Sequence, residues 1–171
     1  MRTLVASSVL LAACTGSSAT GSAGPSPILA GFDPQPVLGL ARARMRAVTE
    51  SGHRTGVRIE PPDHMFTTWS VVGAIDDPAL GEVLDATAAA CVAHVKAHGG
   101  QTGALSAQRG AVSDAVLRAM TMRALPADAD AVQARHCAFT AGGRNGFITV
   151  VAVRVEGQPG VWRLAGAIHE P

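Results

Sequence analysis

Three segments near the C-terminus constrain the fold more than any other feature. Val132–Thr140, Phe147–Glu156 and Val161–His169 carry the β-branched and apolar content of strands, and the chain between them reads AGGRNG and GQPG. Such short glycine-containing turns return each strand beside the one before it, which makes an antiparallel meander. A parallel arrangement would need a crossover of a dozen residues or more, and none is available there. On the first of these strands Cys137 and Phe139 share one face, because successive side chains alternate. That face needs covering, and the cover has to come from upstream.

The upstream chain supplies it. Asp76-Asp77-Pro78 is a strong helix start, an acidic cap followed by proline at the first helical position. Leu80, Leu84, Thr87, Cys91 and Val95 then keep helical spacing, so Cys91 falls on the buried stripe, and Gly99-Gly100 ends the helix. A second helix fits about Gly110–Leu125 and stops at Pro126. Another is expected from Pro36 to about Glu50, with Val37, Ala41, Met45 and Val48 on one stripe. Val57 and Ile59 suggest a short edge strand halted by Pro61-Pro62, and Met65–Ile75 reads as a full strand. Alanine accounts for 32 of the 171 residues, with four Phe, two Trp and no Tyr, so the core must lean on Val, Leu and Ile. The expected fold is α+β: an antiparallel sheet of about four to five strands with helices packed on one face, forming a single domain over residues 31–171. The ending GVWRLAGAIHE is similar to the last strand of nuclear transport factor 2-like and cystatin-like domains, which also wrap a curved sheet around helices. One strand of similarity carries no functional residue across.

The N-terminus says where such a domain would live. Residues 1–14 read MRTLVASSVLLAAC: Arg2, then an apolar stretch from Leu4 to Ala13 that is too short to anchor. The end of it, Leu11-Ala12-Ala13-Cys14, resembles the lipobox of bacterial lipoproteins. That resemblance implies a signal peptide of residues 1–13, removed before a lipidated Cys14 whose acyl chains hold the protein on a membrane. The alternative is an ordinary cleaved signal that contains a cysteine. Residues 14–30 are expected to be a flexible tether. Its TGSSATGSAGPSP run (15–27) cannot bury a face, and at roughly 5–6 Å × √13 it spans about 20 Å. Thr15 stands after the cysteine where enteric-type lipoproteins retained at the inner membrane have Asp, which implies the outer membrane, facing the periplasm.

Removing Cys14 leaves Cys91 and Cys137, an even pair in an exported chain. An oxidising periplasm would join them if geometry allows, contributing on the order of 4 kcal/mol by the chain-entropy argument; otherwise they are two buried thiols. His94 and His98 place two imidazoles on one helix face, as a zinc site requires. They lack the glutamate of a metalloprotease helix and an adjacent third ligand, so solvated or structural histidines are the competing assignment, and no metal or other cofactor is expected. Asp76/Asp77 fit capping, and Asp128/Asp130 sit in an Ala/Asp-rich turn. Arg42, Arg44 and Arg46 suit either a solvated helix face or an anionic envelope surface. Gly99–Gly103 (GGQTG) lacks the Lys-Ser/Thr of a phosphate loop, and no G-x-S-x-G elbow is present. Net charge is +1, and zero without Arg2, which argues against nucleic acid as a partner. Two functions follow. One is a non-catalytic envelope lipoprotein, bound to the membrane by its lipid and to an envelope protein partner. The other is a small-ligand-binding or minor enzymatic domain with a pocket between sheet and helices lined by Trp69 or Trp162.

Overall fold

The structure is a computed structural model that describes residues 26–170 apart from 60–63 and 122. Residues 1–25, with the expected signal peptide and Cys14, lie outside the described residues. The fold is α+β, as the element order suggests. Helices α1 (Pro27–Ala30), α2 (Gln35–Arg44), α3 (Asp77–Ala97) and α4 (Asp114–Thr121) accompany strands β1 (Arg46–Ile59), β2 (His64–Ala74), β3 (Gln101–Thr102), β4 (Val132–Ala141), β5 (Arg144–Arg154) and β6 (Val161–Glu170). The strands form one antiparallel sheet in the order β1-β2-β6-β5-β4-β3. Five of the six are long; β3 adds only two residues on the outer edge of β4.

The C-terminal meander forms as its turns dictate. Ala141 pairs with Arg144, so Gly142 and Gly143 make the whole β4–β5 turn, both at positive φ (57° and 77°). That is the backbone of the two-residue hairpin turn that matches strand twist, and it favours glycine at both positions.

The sheet has two buried faces. One carries Trp69, Val71, Cys137, Phe139, Ile148, Val150, Ala152, Trp162, Leu164 and Ile168, and packs under α1–α3 through Leu29, Val37, Leu80, Leu84, Ala88, Cys91 and Val95. The other carries Phe66, Val132, Ala134, Val151, Val153, Ala165 and Ala167, and meets Val112, Leu117 and Met120 from the α4 segment. Helices α1–α3 therefore follow the expected one-sided packing, while α4 lies on the opposite face. The reason is visible in β5, where residues 148–153 are buried without alternation, so neither face can be left to water.

Three boundaries differ from the sequence expectation. The helix expected to reach Glu50 ends at Arg44, and Met45 is already extended, its N–H closing on the Ala41 carbonyl at 2.8 Å. Residues 46–59 instead pair along the outer edge of β2, satisfying a row of backbone groups that would otherwise stay open. Three register shifts in β1 bend this new edge strand. Residues 26–30, expected to belong to the tether, are part of the domain instead. There Ser26 caps α1, accepting from the Leu29 N–H at 3.3 Å, and Ile28 and Leu29 are buried in the core. The helix expected over 110–125 is a 3-10 turn at Arg109–Ala111 followed by the two turns of α4.

Candidate functional site

Helix α3 starts where Asp76-Asp77-Pro78 directs it. Asp76 occupies the cap position without a side-chain hydrogen bond to the helix, and Asp77 supplies first-turn negative charge. The helix stops at Gly99, where φ is +81°. His94 and His98 near its end are used structurally. His94 Nε2 donates to the Ile28 carbonyl at 2.8 Å, tying α1 to α3, and Phe32 meets the same ring edge-on at 5.1 Å. His98 Nδ1 donates to the His94 carbonyl at 2.9 Å, and the two rings lie 4.3 Å apart. Each ring thus has one nitrogen committed to backbone. Among the described residues no group of three potential metal ligands surrounds them.

Cys91 and Cys137 come together in the same core, as the helix stripe and strand alternation suggest, and both carry free thiols in this structure. Cys137 Sγ lies 3.1 Å from the Gly103 carbonyl. Burial pushes the Cys91 thiol up to about 12 and raises that of Cys137 as well. Neither is poised as a nucleophile, since the thiolate is the reactive form.

Trp69 and Trp162 are core residues, 1% and 0% exposed. Trp69 packs on Gly166, its register partner, so closely that a Cβ there would run into the indole. Arg154 covers Trp162 with its guanidinium 5.0 Å from the ring. Among the described residues neither indole N–H finds an acceptor, and the burial of both rings makes them packing groups. Side chains fill the expected pocket between sheet and helices at these positions.

The remaining sequence candidates are accounted for by local contacts. Asp128 accepts from the Asp130 N–H at 3.0 Å and from Arg154 at 3.5 Å, a turn braced by an ion pair. Arg44 pairs with Glu82 at 2.8 Å, and Arg42 reaches Gln35 at 3.4 Å, so both lie on a solvated helix face.

Two features went unnoticed in the sequence. The first is a ring stack across the face opposite α3: His136 against Phe147 at 5.2 Å, and Phe147 against His169 at 5.0 Å. His136 also meets Thr149 Oγ1 at 3.0 Å, and burial holds its imidazole below the ordinary value. The second is an open groove of about 1670 Å³, walled by residues 123–128, by the β5–β6 turn, and by Val72, Asp77, Val153 and Arg163. It is bordered by Arg123, Arg154 and Arg163 and by Asp77, Asp128 and Glu156. A charge near the start of β6 was the available signal, because Arg163 interrupts an otherwise apolar VWRLAGAI run.

The two ends of the sheet are chemically distinct. At one, Ser26 Oγ donates to the buried Glu170 carboxylate at 2.7 Å, fixing the start of the domain to the last residue of β6. At the other, Ile75 donates to Gly160 at 2.9 Å beside the groove. These observations define an α+β domain whose antiparallel sheet and wrapped helices are compatible with the nuclear transport factor 2-like fold. No known protein-family model matches the sequence, and comparison with curated proteins returns no match.

Proposed function

We propose that this chain is a lipid-anchored module of the bacterial cell envelope. It is held on the membrane through Cys14, on the outer membrane facing the periplasm, and acts without catalysis by binding an envelope protein partner. The observation that carries the partner side of this reading is the separation of the two ends of β6. The chain enters the domain at Ser26, bonded to Glu170, whereas the groove opens around Arg163, seven residues away along an extended strand. At ~3.3 Å per residue the two lie about 23 Å apart. A tether attached at the first end leaves the groove at the end remote from the anchor, available to another protein. The competing function, a pocket between sheet and helices, has the packing of Trp69 and Trp162 against it.

Cell fractionation tests the anchor. In a bacterium that processes lipoproteins, the full chain is expected to sediment with membranes, and Cys14→Ser to lose that association while keeping its circular dichroism spectrum. A Cys14→Ser protein that stays membrane-bound with its leader removed contradicts the proposal.

A further inference from the structure

Helix α3 and strand β4 run side by side and are joined at two levels. Val132, Val153, Arg163 and Val72 lie in one row of the sheet, so β4 starts at the end where β2 runs into α3. Near these starts Arg135 on β4 pairs with Asp85 on α3. At the other end Gln101, just after α3, pairs with Thr140 of β4. Between the two junctions each element carries one cysteine. Cys137 lies two residues beyond Arg135, about 6.6 Å along an extended strand, and Cys91 six residues beyond Asp85, about 9 Å along a helix. The two stand at nearly one level, both in the core layer between α3 and the sheet and both fully buried. The buried α3 residues at this level, Thr87, Ala88 and Cys91, are small, which lets the helix backbone come close to the strand.

We propose that Cys91 and Cys137 are joined by a disulfide that staples α3 to β4, and that the bond closes while the exported chain folds. The proposal goes beyond the binding function above and takes from it only the oxidising compartment. The oxidant is a disulfide of the thiol-exchange class. The Cys137 thiolate attacks one of its sulfurs, giving a mixed disulfide and releasing the other sulfur as a thiolate. The Cys91 thiolate then displaces the remaining sulfur, so the Cys91–Cys137 bond forms, two electrons pass to the oxidant, and the two protein protons end on its two thiols. Cys137 is suited to react first. Burial raises its thiol, but the Gly103 carbonyl contact and the Lys96 charge oppose that rise, whereas burial pushes Cys91 up to about 12 with nothing against it. Closure belongs to folding because the thiolate is the reactive form and the finished core holds both sulfurs away from solvent.

The test uses the full chain carrying Cys14→Ser, whose only thiols are these two. The reduced chain is unfolded in denaturant and diluted into a folding buffer of reduced and oxidised glutathione with mild detergent. Intact mass and maleimide labelling in denaturant then count thiols. The expected product is a monomer lighter by two hydrogens that takes no label until it is reduced, with a denaturation midpoint above that of the reduced protein. The reduced chain, folded first and then given the same buffer, is expected to oxidise at least about tenfold more slowly. Two free thiols, glutathione retained on both cysteines, or disulfide-linked dimers overturn the proposal. A midpoint below that of the reduced protein overturns it as well, because the bond would then strain the fold. Equal oxidation rates before and after folding contradict closure during folding. Cys14 is absent from this protein, so failure here is distinct from failure of the lipid anchor.

Discussion

At the scale of single residues, this molecule uses its polar and reactive side chains to hold its own parts together. His94 fastens α1 to α3, Ser26 fastens the start of the domain to Glu170, and Thr68 donates to the Gly166 carbonyl at 3.0 Å across the β2–β6 pair. The Cys91 thiol, pushed up to about 12 by burial, is a packing group. In the reduced chain it is expected to resist alkylation at mildly alkaline pH until denaturant is added, and rapid native-state labelling would contradict that. His136 gives a pH dependence whose sign follows from its environment. Burial holds its imidazole below the ordinary value, so the folded chain binds fewer protons than the unfolded chain as the solution acidifies. Its stabilising contribution is full above the ordinary histidine range and is lost as pH falls toward the lowered value. The melting temperature should therefore drop between about pH 7.5 and about pH 5, and by less in His136→Gln, as calorimetry of the two proteins would show. An equal drop in both removes His136 as the cause.

At the scale of elements, what the sequence made legible depended on whether local chemistry or tertiary pairing decided the outcome. The β4–β5–β6 meander was legible because Gly142-Gly143 and Gly157–Gly160 act locally, each glycine at the turn edges holding positive φ. Helix α3 was legible because cap, stripe and glycine stop agree. The continuation of α2 past Arg44 was not. Val48 extends the helical stripe on paper, but the open edge of β2 captures residues 46–59 as a strand. Nor was the second buried face, although residues 148–153 (ITVVAV) run apolar without alternation and so require cover on both sides. Cover comes from Leu117 and Met120 of α4. Leu117→Ala is expected to cost about 2–5 kcal/mol in chemical denaturation, the range for a fully buried leucine. A loss under about 1 kcal/mol would mean that α4 does not seal that face. Gly166→Ala forces a methyl against the Trp69 ring and the core must shift, at about 1–3 kcal/mol. At the sites, Cys91, Cys137 and the histidine pair were placed correctly on their elements. The groove was missed because Arg123 and Arg163, two of the arginines that border it, are 40 residues apart in sequence and come to one groove only when β6 lies beside the loop after α4.

At the scale of the whole molecule, the sheet has two structurally different ends. One receives the chain at Ser26; the other opens the arginine-bordered groove. No helix among the described residues is long and apolar enough to cross a membrane, and the proposed membrane attachment is through lipidation of Cys14. The most direct measurement is therefore the intact mass and N-terminal sequence of the protein purified from the membranes of a bacterium that processes lipoproteins. The account predicts a chain beginning at Cys14, heavier than residues 14–171 by its acyl groups. An unmodified Cys14, or exported protein still beginning at Met1, would contradict it.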